Sequence, residues 1–120
     1  MNKIRIAICG YGNLGKGIES EIVKKEDMQL VAIFTRRDVN TLEILSDTPV
    51  VNIKEADKWR DKIDVMIMCG GSSTDLPQQV PEMAKIFNTV DSFDTHAKIP
   101  EYFESVNKID IYKMCCLYFF

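Results

Sequence analysis

The sequence has little of what metal, disulfide or nucleic-acid chemistry needs. Histidine occurs once, at His96, which excludes a metal site built from several histidines. The four cysteines form no C-x-x-C pair, so they predict reduced thiols in a cytosolic protein rather than disulfides or zinc ligands. Acidic residues outnumber basic ones, with a formal net charge of −3, and give no electrostatic reason to bind nucleic acid. We therefore expect neither a metal site nor a nucleic-acid partner.

Long apolar runs are also missing. No stretch approaches the length of a membrane span, and the first predicted strand starts at residue 4, which leaves no room for a signal peptide. We expect no membrane partner and a cytoplasmic location. The 120 residues predict one domain, which is short for an enzyme with separate cofactor and substrate parts.

A glycine pattern near the start of the chain is its most informative feature. A run of β-formers at residues 4–9 leads into Gly10-Tyr11-Gly12-Asn13-Leu14-Gly15, and a helical pattern follows. In this context G-x-G-x-x-G predicts dinucleotide binding, with Gly10 allowing a tight turn, Gly12 leaving the backbone open to a pyrophosphate, and Gly15 allowing close helix packing. The helix N-terminus then offers N–H groups to the phosphates. The alternative is a glycine-rich turn that only reverses the chain.

Strands and helices alternate along the rest of the chain. Strands are predicted at residues 4–9, 30–34, 50–53, 64–69 and 89–93, and helices after the glycine loop and at residues 55–62, 76–87 and 100–106. In the first helix, Leu14, Ile18 and Ile22 share one side, and Pro81 is expected to divide the third helix or mark its true first turn. This alternation predicts an α/β fold: a Rossmann-type doubly wound parallel sheet of about five to six strands, with helices on both faces.

The end of the second predicted strand carries Thr35, Arg36 and Arg37, about 20 residues beyond the glycine loop. An acidic residue at this point would accept hydrogen bonds from a ribose 2′-hydroxyl, whereas arginines accommodate a 2′-phosphate. The pair of guanidinium groups therefore predicts NADP rather than NAD. The alternative is a solvated basic pair in a loop.

Two further loops should emerge at the same edge of the sheet. Residues 69–75 are small and hydroxyl-rich, which suits close approach by a cofactor, although Thr74 or Asp75 also fits as a helix N-cap. Residues 92–96 present Asp94 near the expected nicotinamide position, where a carboxylate could hold a substrate ammonium group. The alternative for Asp94 is a cap or turn residue.

Four segments together resemble the meso-diaminopimelate D-dehydrogenase family. They are the glycine loop, F-T-R-R at residues 34–37, G-S-S-T-D-L-P at residues 71–77 and T-V-D-S-F-D-T-H at residues 89–96, and the resemblance covers about residues 2–107. It implies a cytoplasmic homodimer that uses NADP to oxidise the D-amino centre of meso-2,6-diaminopimelate. The products would be ammonia and L-2-amino-6-oxopimelate, and the reverse reaction would supply diaminopimelate for lysine and peptidoglycan.

The resemblance also assigns roles to residues. The pyrophosphate side of the cofactor falls to Tyr11, Gly12, Asn13 and Leu14, and the 2′-phosphate to Thr35, Arg36 and Arg37. Further cofactor contacts fall to Cys69, Gly70, Gly71 and Ser72. The nicotinamide ribose falls to Ser92, Phe93 and Asp94. Asp94 would also face the amine of the substrate and is the predicted catalytic residue.

The end of the chain departs from the family. Residues 1–107 are interpreted as the NADP-binding domain, and residues 108–120 as a divergent apolar tail. Truncation or a frame shift is favoured for this tail, with a final strand buried in the sheet or in a partner as the alternative. Family members continue into a substrate and dimerisation domain, so we expect an incomplete enzyme. A non-catalytic NADP-binding or redox-sensing module and a related oxidoreductase with another substrate stay open.

Overall fold

The computed structural model describes residues 2–70, 75–91, 100–101, 103–105 and 117–119. Within these residues the chain forms six strands: β1 (Ile4–Cys9), β2 (Met28–Thr35), β3 (Val50–Asn52), β4 (Val65–Met68), β5 (Asn88–Asp91) and β6 (Leu117–Phe119). The α-helices are α1 (Asn13–Ile22) and α2 (Leu76–Ala84), and 3₁₀ helices span Val39–Thr41 and Ile53–Lys62. Residues 100, 101 and 103–105 are also helical.

All six strands are parallel and form one sheet in the order β3-β2-β1-β4-β5-β6. The chain moves outward from β1 in one direction through β2 and β3, and in the other through β4 and β5. A crevice opens where that direction reverses, beyond the carboxyl ends of β1 and β4. The predicted fold class, a doubly wound parallel α/β sheet, is confirmed.

Different helices cover the two faces of the sheet. Because successive residues of a strand point to opposite faces, each strand contributes apolar side chains to both layers. Ile6, Ile8 and Ile33 pack on the α1 side with Ile22. On the other side, the strand residues pack against α2 and the long 3₁₀ helix; this group contains Ala7, Cys9, Phe34, Met66, Met68, Leu76, Val80 and Ala84.

Several predicted details of the helices are wrong. Of the predicted apolar face of α1, Ile22 is buried and Ile18 packs against the core, but Leu14 is 44% exposed, and the buried positions of the helix are Gly15, Glu19 and Ile22. Leu14 is not buried because the helix makes its closest approach to the glycine loop at Gly15, where there is no side chain. Pro81 neither divides nor starts α2 but lies inside it. A proline there removes one backbone donor, and packing of the helix on the sheet outweighs that loss.

The bounds of some elements also differ from the predicted ones. The third strand ends at Asn52, one residue earlier than predicted, and the helix after it is a 3₁₀ helix that already begins at Ile53. β5 ends at Asp91, and the last two residues of the predicted fifth strand lie outside the described residues.

The tail contributes a strand. Leu117–Phe119 pairs in parallel with Thr89–Asp91 at the edge of the sheet, so part of the tail joins the sheet, whereas burial of this strand in the sheet or in a partner stays a prediction. Residues 108–116 lie outside the described part, and truncation of the chain stays a prediction. Among the described residues, no helix combines the length and apolar character needed to cross a bilayer.

Candidate functional site

A crevice of about 280 Å³ opens at the carboxyl ends of β1, β2 and β4. Its walls come from the glycine loop after β1, the arginine segment after β2, the end of β4 and the start of α2. Backbone hydrogen bonds join the first three of these parts: the Gly10 amide donates to the Phe34 carbonyl at 2.9 Å, and the Cys69 amide donates to the Cys9 carbonyl at 2.7 Å. Three segments distant in sequence are therefore joined at one edge of the sheet.

The glycine loop is shaped by the absence of side chains. Gly10 has φ +96°, and a Cβ there would lie 3.1 Å from backbone atoms of Cys69 and Gly70. A Cβ on Gly15 would lie 2.5 Å from the carbonyl oxygen of Gly10, closer than any real contact. At Gly12, apart from the residue itself and its two chain neighbours, no heavy atom of the described residues lies within 4 Å of a built Cβ, so the backbone borders open space. Gly10 and Gly15 thus set the loop geometry, and Gly12 leaves room for a ligand.

The N-terminus of α1 faces this space. Gly12, the residue before the helix, is extended, and the first turn of the helix contains no acidic side chain. The first N–H groups of a helix have no partner within it and carry partial positive charge, so they favour an anion such as a phosphate. The residues present therefore fit the diphosphate of a dinucleotide.

Tyr11 contributes its backbone to the crevice, while its side chain turns into the protein. It is 4% exposed, and its hydroxyl donates a hydrogen bond to Glu19 Oε1 at 2.5 Å. Burial, together with the neighbouring carboxylate, raises the pKa of Tyr11 to about 12. The phenol is therefore neutral in the physiological range and acts as a fixed donor.

Glu19 is a buried carboxylate that the sequence reasoning missed. Besides Tyr11, it accepts hydrogen bonds from the backbone amides of Leu45 and Ser46, each at 3.1 Å, and from the Ser46 hydroxyl at 2.5 Å. Burial raises its pKa, but these hydrogen bonds outweigh burial and leave the pKa below its ordinary value. Its position in the sequence could have indicated this burial, because Glu19 follows Gly15 by four residues and precedes Ile22 by three, which places all three on one face of α1.

The two predicted arginines lie together on the crevice wall but make different contacts. Arg36 Nη2 pairs with Asp75 Oδ1 at 2.5 Å, and its side chain remains 61% exposed. Arg37 Nη2 donates to the carbonyl of Tyr11 at 2.7 Å, and the Arg37 amide donates to Thr35 Oγ1 at 3.0 Å. Arg37 therefore supports the glycine loop, whereas Arg36 keeps donors accessible to a ligand.

Both cysteines among the described residues, Cys9 and Cys69, are free thiols on the crevice lining. Burial raises the pKa of each to about 12, so neither is a reactive thiolate near neutral pH. Within the described part of the chain, no group of three or more histidine, cysteine or acidic side chains is placed to hold a metal ion.

Comparison with known proteins shows the family to which the chain belongs. No protein-family model matches the chain. A meso-diaminopimelate D-dehydrogenase of Ureibacillus thermosphaericus is 58% identical over 107 residues, which are 89% of this chain and 33% of that protein. The chain belongs to the meso-diaminopimelate D-dehydrogenase family. It corresponds to the N-terminal third of these enzymes and spans about a third of the length of the curated relatives it matches.

Solved structures agree with this assignment. An engineered D-amino acid dehydrogenase bound to NADP⁺ superposes with a TM-score of 0.84 at 44% identity, covering 90% of this chain and 33% of that one. The diaminopimelate dehydrogenase of Corynebacterium glutamicum in complex with diaminopimelate superposes with a TM-score of 0.83 at 45% identity, covering 91% and 33%. The predicted membership of this oxidoreductase family is confirmed.

The predicted site is therefore only partly described. Gly10, Tyr11, Gly12, Thr35, Arg36, Arg37, Cys69 and Gly70 line the crevice. Asn13, Leu14 and Gly15 form the first turn of α1 beside it. Gly71, Ser72, Ser92, Phe93 and Asp94 lie outside the described residues, so their roles stay predictions.

Proposed function

We propose that this crevice binds NADP and that the chain is the cofactor-binding part of an enzyme that oxidatively deaminates the D-amino centre of meso-2,6-diaminopimelate to L-2-amino-6-oxopimelate. The observation that carries the proposal is that the crevice combines two features. One is the glycine loop, which leaves the backbone at Gly12 open beside the N-terminus of α1, and the other is the exposed guanidinium of Arg36. The first suits a diphosphate and the second a 2′-phosphate. Family membership and an NADP⁺-bound structural relative support the same cofactor.

Each part of the crevice has a role in this proposal. The backbone of Gly12 and the first turn of α1, at Asn13 and Leu14, would hold the diphosphate. Arg36 would hold the 2′-phosphate, with Thr35 and Arg37 fixing the segment that carries it. Bound NADP would supply a hydride acceptor, and the task of the protein would be to bind and orient it.

The substrate side rests on residues outside the described part. Asp94 would hold the ammonium group of the D-centre, and Ser92 and Phe93 would contact the nicotinamide ribose. A solved relative is in complex with diaminopimelate, which supports this substrate class. A homodimer in the cytoplasm completes the proposal, by similarity to the family.

The cofactor part is tested by Arg36→Ala, with Arg60→Ala as the matched control. Both arginines are exposed and paired with an aspartate, but Arg60 lies on the 3₁₀ helix and does not line the crevice. Losing a charge-assisted contact to the 2′-phosphate should raise the Kd for NADPH about tenfold, with NADH little changed. Arg60→Ala should change neither value. Equal losses of NADPH and NADH affinity in a fluorescence titration would contradict the assignment.

The substrate part is tested by following NADPH formation with stereoisomers of diaminopimelate. Because the chain corresponds to only the N-terminal third of its relatives, we expect it to bind NADPH without appreciable turnover, whereas an enzyme that also has the substrate part should oxidise the meso isomer and not the LL isomer. Appreciable NADPH formation with meso-diaminopimelate by this chain alone would contradict the expectation of an incomplete enzyme, while leaving its cofactor assignment intact.

A further inference from the structure

Asp75 stands opposite Arg36 in the crevice. It comes from the segment before α2, 39 residues further along the chain, and it lines the same cavity as the glycine loop. Its carboxylate contacts the guanidinium group assigned above to the 2′-phosphate. Two anions, one from the protein and one from the ligand, would therefore share one arginine.

We propose that Asp75 is a specificity-determining residue that weakens 2′-phosphate binding by competing for Arg36. This inference rests on the proposed binding of NADP. Arg36 has several donors, but Asp75 occupies Nη2 and places a negative charge beside the position of the incoming phosphate. Like charges that share a partner repel each other, so a carboxylate here opposes a phosphorylated ribose more than an unphosphorylated one.

The exposure of the pair sets the size of this effect. The Arg36 side chain is 61% exposed and that of Asp75 is 24% exposed, so water screens their attraction. Exposed ion pairs are weak, and a phosphate displaces such a partner at small cost. We therefore expect Asp75 to reduce NADPH affinity only about threefold to fivefold, leaving NADP preferred over NAD.

The shape of the site allows a clean substitution. A Cβ on Gly70 would lie 2.8 Å from the Cβ of Asp75, so the residue packs closely on the end of β4. Asparagine keeps this shape and serves equally well before a helix, whereas it removes the charge. Asp57→Asn is the matched control. Asp57 Oδ1 pairs with Arg60 Nη2 at a distance of 2.8 Å, and neither residue lines the crevice.

The experiment measures the affinity of the 120-residue chain for NADPH and NADH, and for adenosine 2′,5′-bisphosphate and AMP as probes of the adenosine end. Asp75→Asn should lower the Kd for NADPH and for the bisphosphate about threefold to fivefold, with NADH and AMP unchanged. Asp57→Asn should change none of these values. In an Arg36→Ala background, Asp75→Asn should lose most of its effect, and a melting temperature close to that of the wild type verifies folding.

The possible outcomes distinguish a failure of this inference from a failure of the proposed function. Weaker NADPH binding by Asp75→Asn would mean that the carboxylate orients Arg36, and would overturn the inference alone. Equal shifts for NADPH and NADH would overturn it as well. A wild-type chain that binds neither dinucleotide would overturn the proposed function and this inference with it.

Discussion

The two glycines of α1 allow a sharp test of how the glycine loop is built. Gly15→Ala would place a Cβ 2.5 Å from the carbonyl oxygen of Gly10, whereas carbon and oxygen normally stay about 3.3 Å or more apart. The obstacle is backbone, so the helix or the loop must move by roughly 0.8 Å. Gly17→Ala adds the same atom in the same helix, where no heavy atom of the described residues lies within 4 Å of the new Cβ, apart from its chain neighbours and the adjacent backbone of the helix itself.

Because both substitutions replace glycine within a helix, each gains about 0.5–1 kcal/mol of stability from the reduced freedom of the unfolded chain. Gly17→Ala should therefore raise the free energy of unfolding by about that amount. Gly15→Ala also carries the cost of overpacking, about 1–3 kcal/mol. The difference between the two variants isolates the clash, and we expect Gly15→Ala to be the less stable by about 1–3 kcal/mol.

Urea unfolding followed by circular dichroism measures this difference, provided that the denaturant slope is the same for both variants. NADPH titration provides a second measurement, since movement of Gly10 should weaken binding by Gly15→Ala while Gly17→Ala binds as the wild type does. If the two variants were equally stable and bound NADPH equally, Gly15 would not be the contact that fixes the loop to α1.

Two further predictions concern the buried carboxylate of α1. Tyr11→Phe removes one of its hydrogen-bond donors and should lower the free energy of unfolding by about 1–3 kcal/mol at pH 7, measured in urea; a loss below about 0.5 kcal/mol would contradict the importance of this contact. The lowered pKa of Glu19 means that the folded protein binds this proton less tightly than the unfolded chain does. Its stabilisation is therefore complete above the ordinary glutamate pKa, near 4.5, and is lost as the pH falls below it. Wild-type stability should fall more steeply than that of Glu19→Gln between pH 5 and pH 3 in urea titrations, and parallel slopes would contradict the assignment.

These contacts explain how a helix can bury an acidic residue. Glu19 receives hydrogen bonds from the glycine loop and from the segment before β3, so one carboxylate connects two loops to α1. Arg37 continues the connection by donating to the carbonyl of Tyr11. The loop proposed to hold the diphosphate is thereby positioned from both sides.

The sequence by itself determined the alternation of strands and helices, the place of the glycine loop and the arginine pair after β2. These features depend on local chemistry: β-formers in short apolar runs, glycines at fixed spacing, and charged residues at the end of a strand. The same local pattern misplaced Leu14, because periodicity alone does not show that Gly15 faces the loop or that Glu19 finds donors there.

Only the tertiary structure decided which residues meet in the crevice. The pair of Arg36 and Asp75 spans 39 residues, and the contact between Arg37 and Tyr11 spans 26. Both depend on the strand order, which brings the carboxyl ends of β1, β2 and β4 to one edge. That order follows from the direction in which each crossover packs its helix on the sheet, and from the burial of apolar surface along the whole chain. No local run of residues encodes that choice, so the partners of Arg36 and Arg37 could not be found from the sequence.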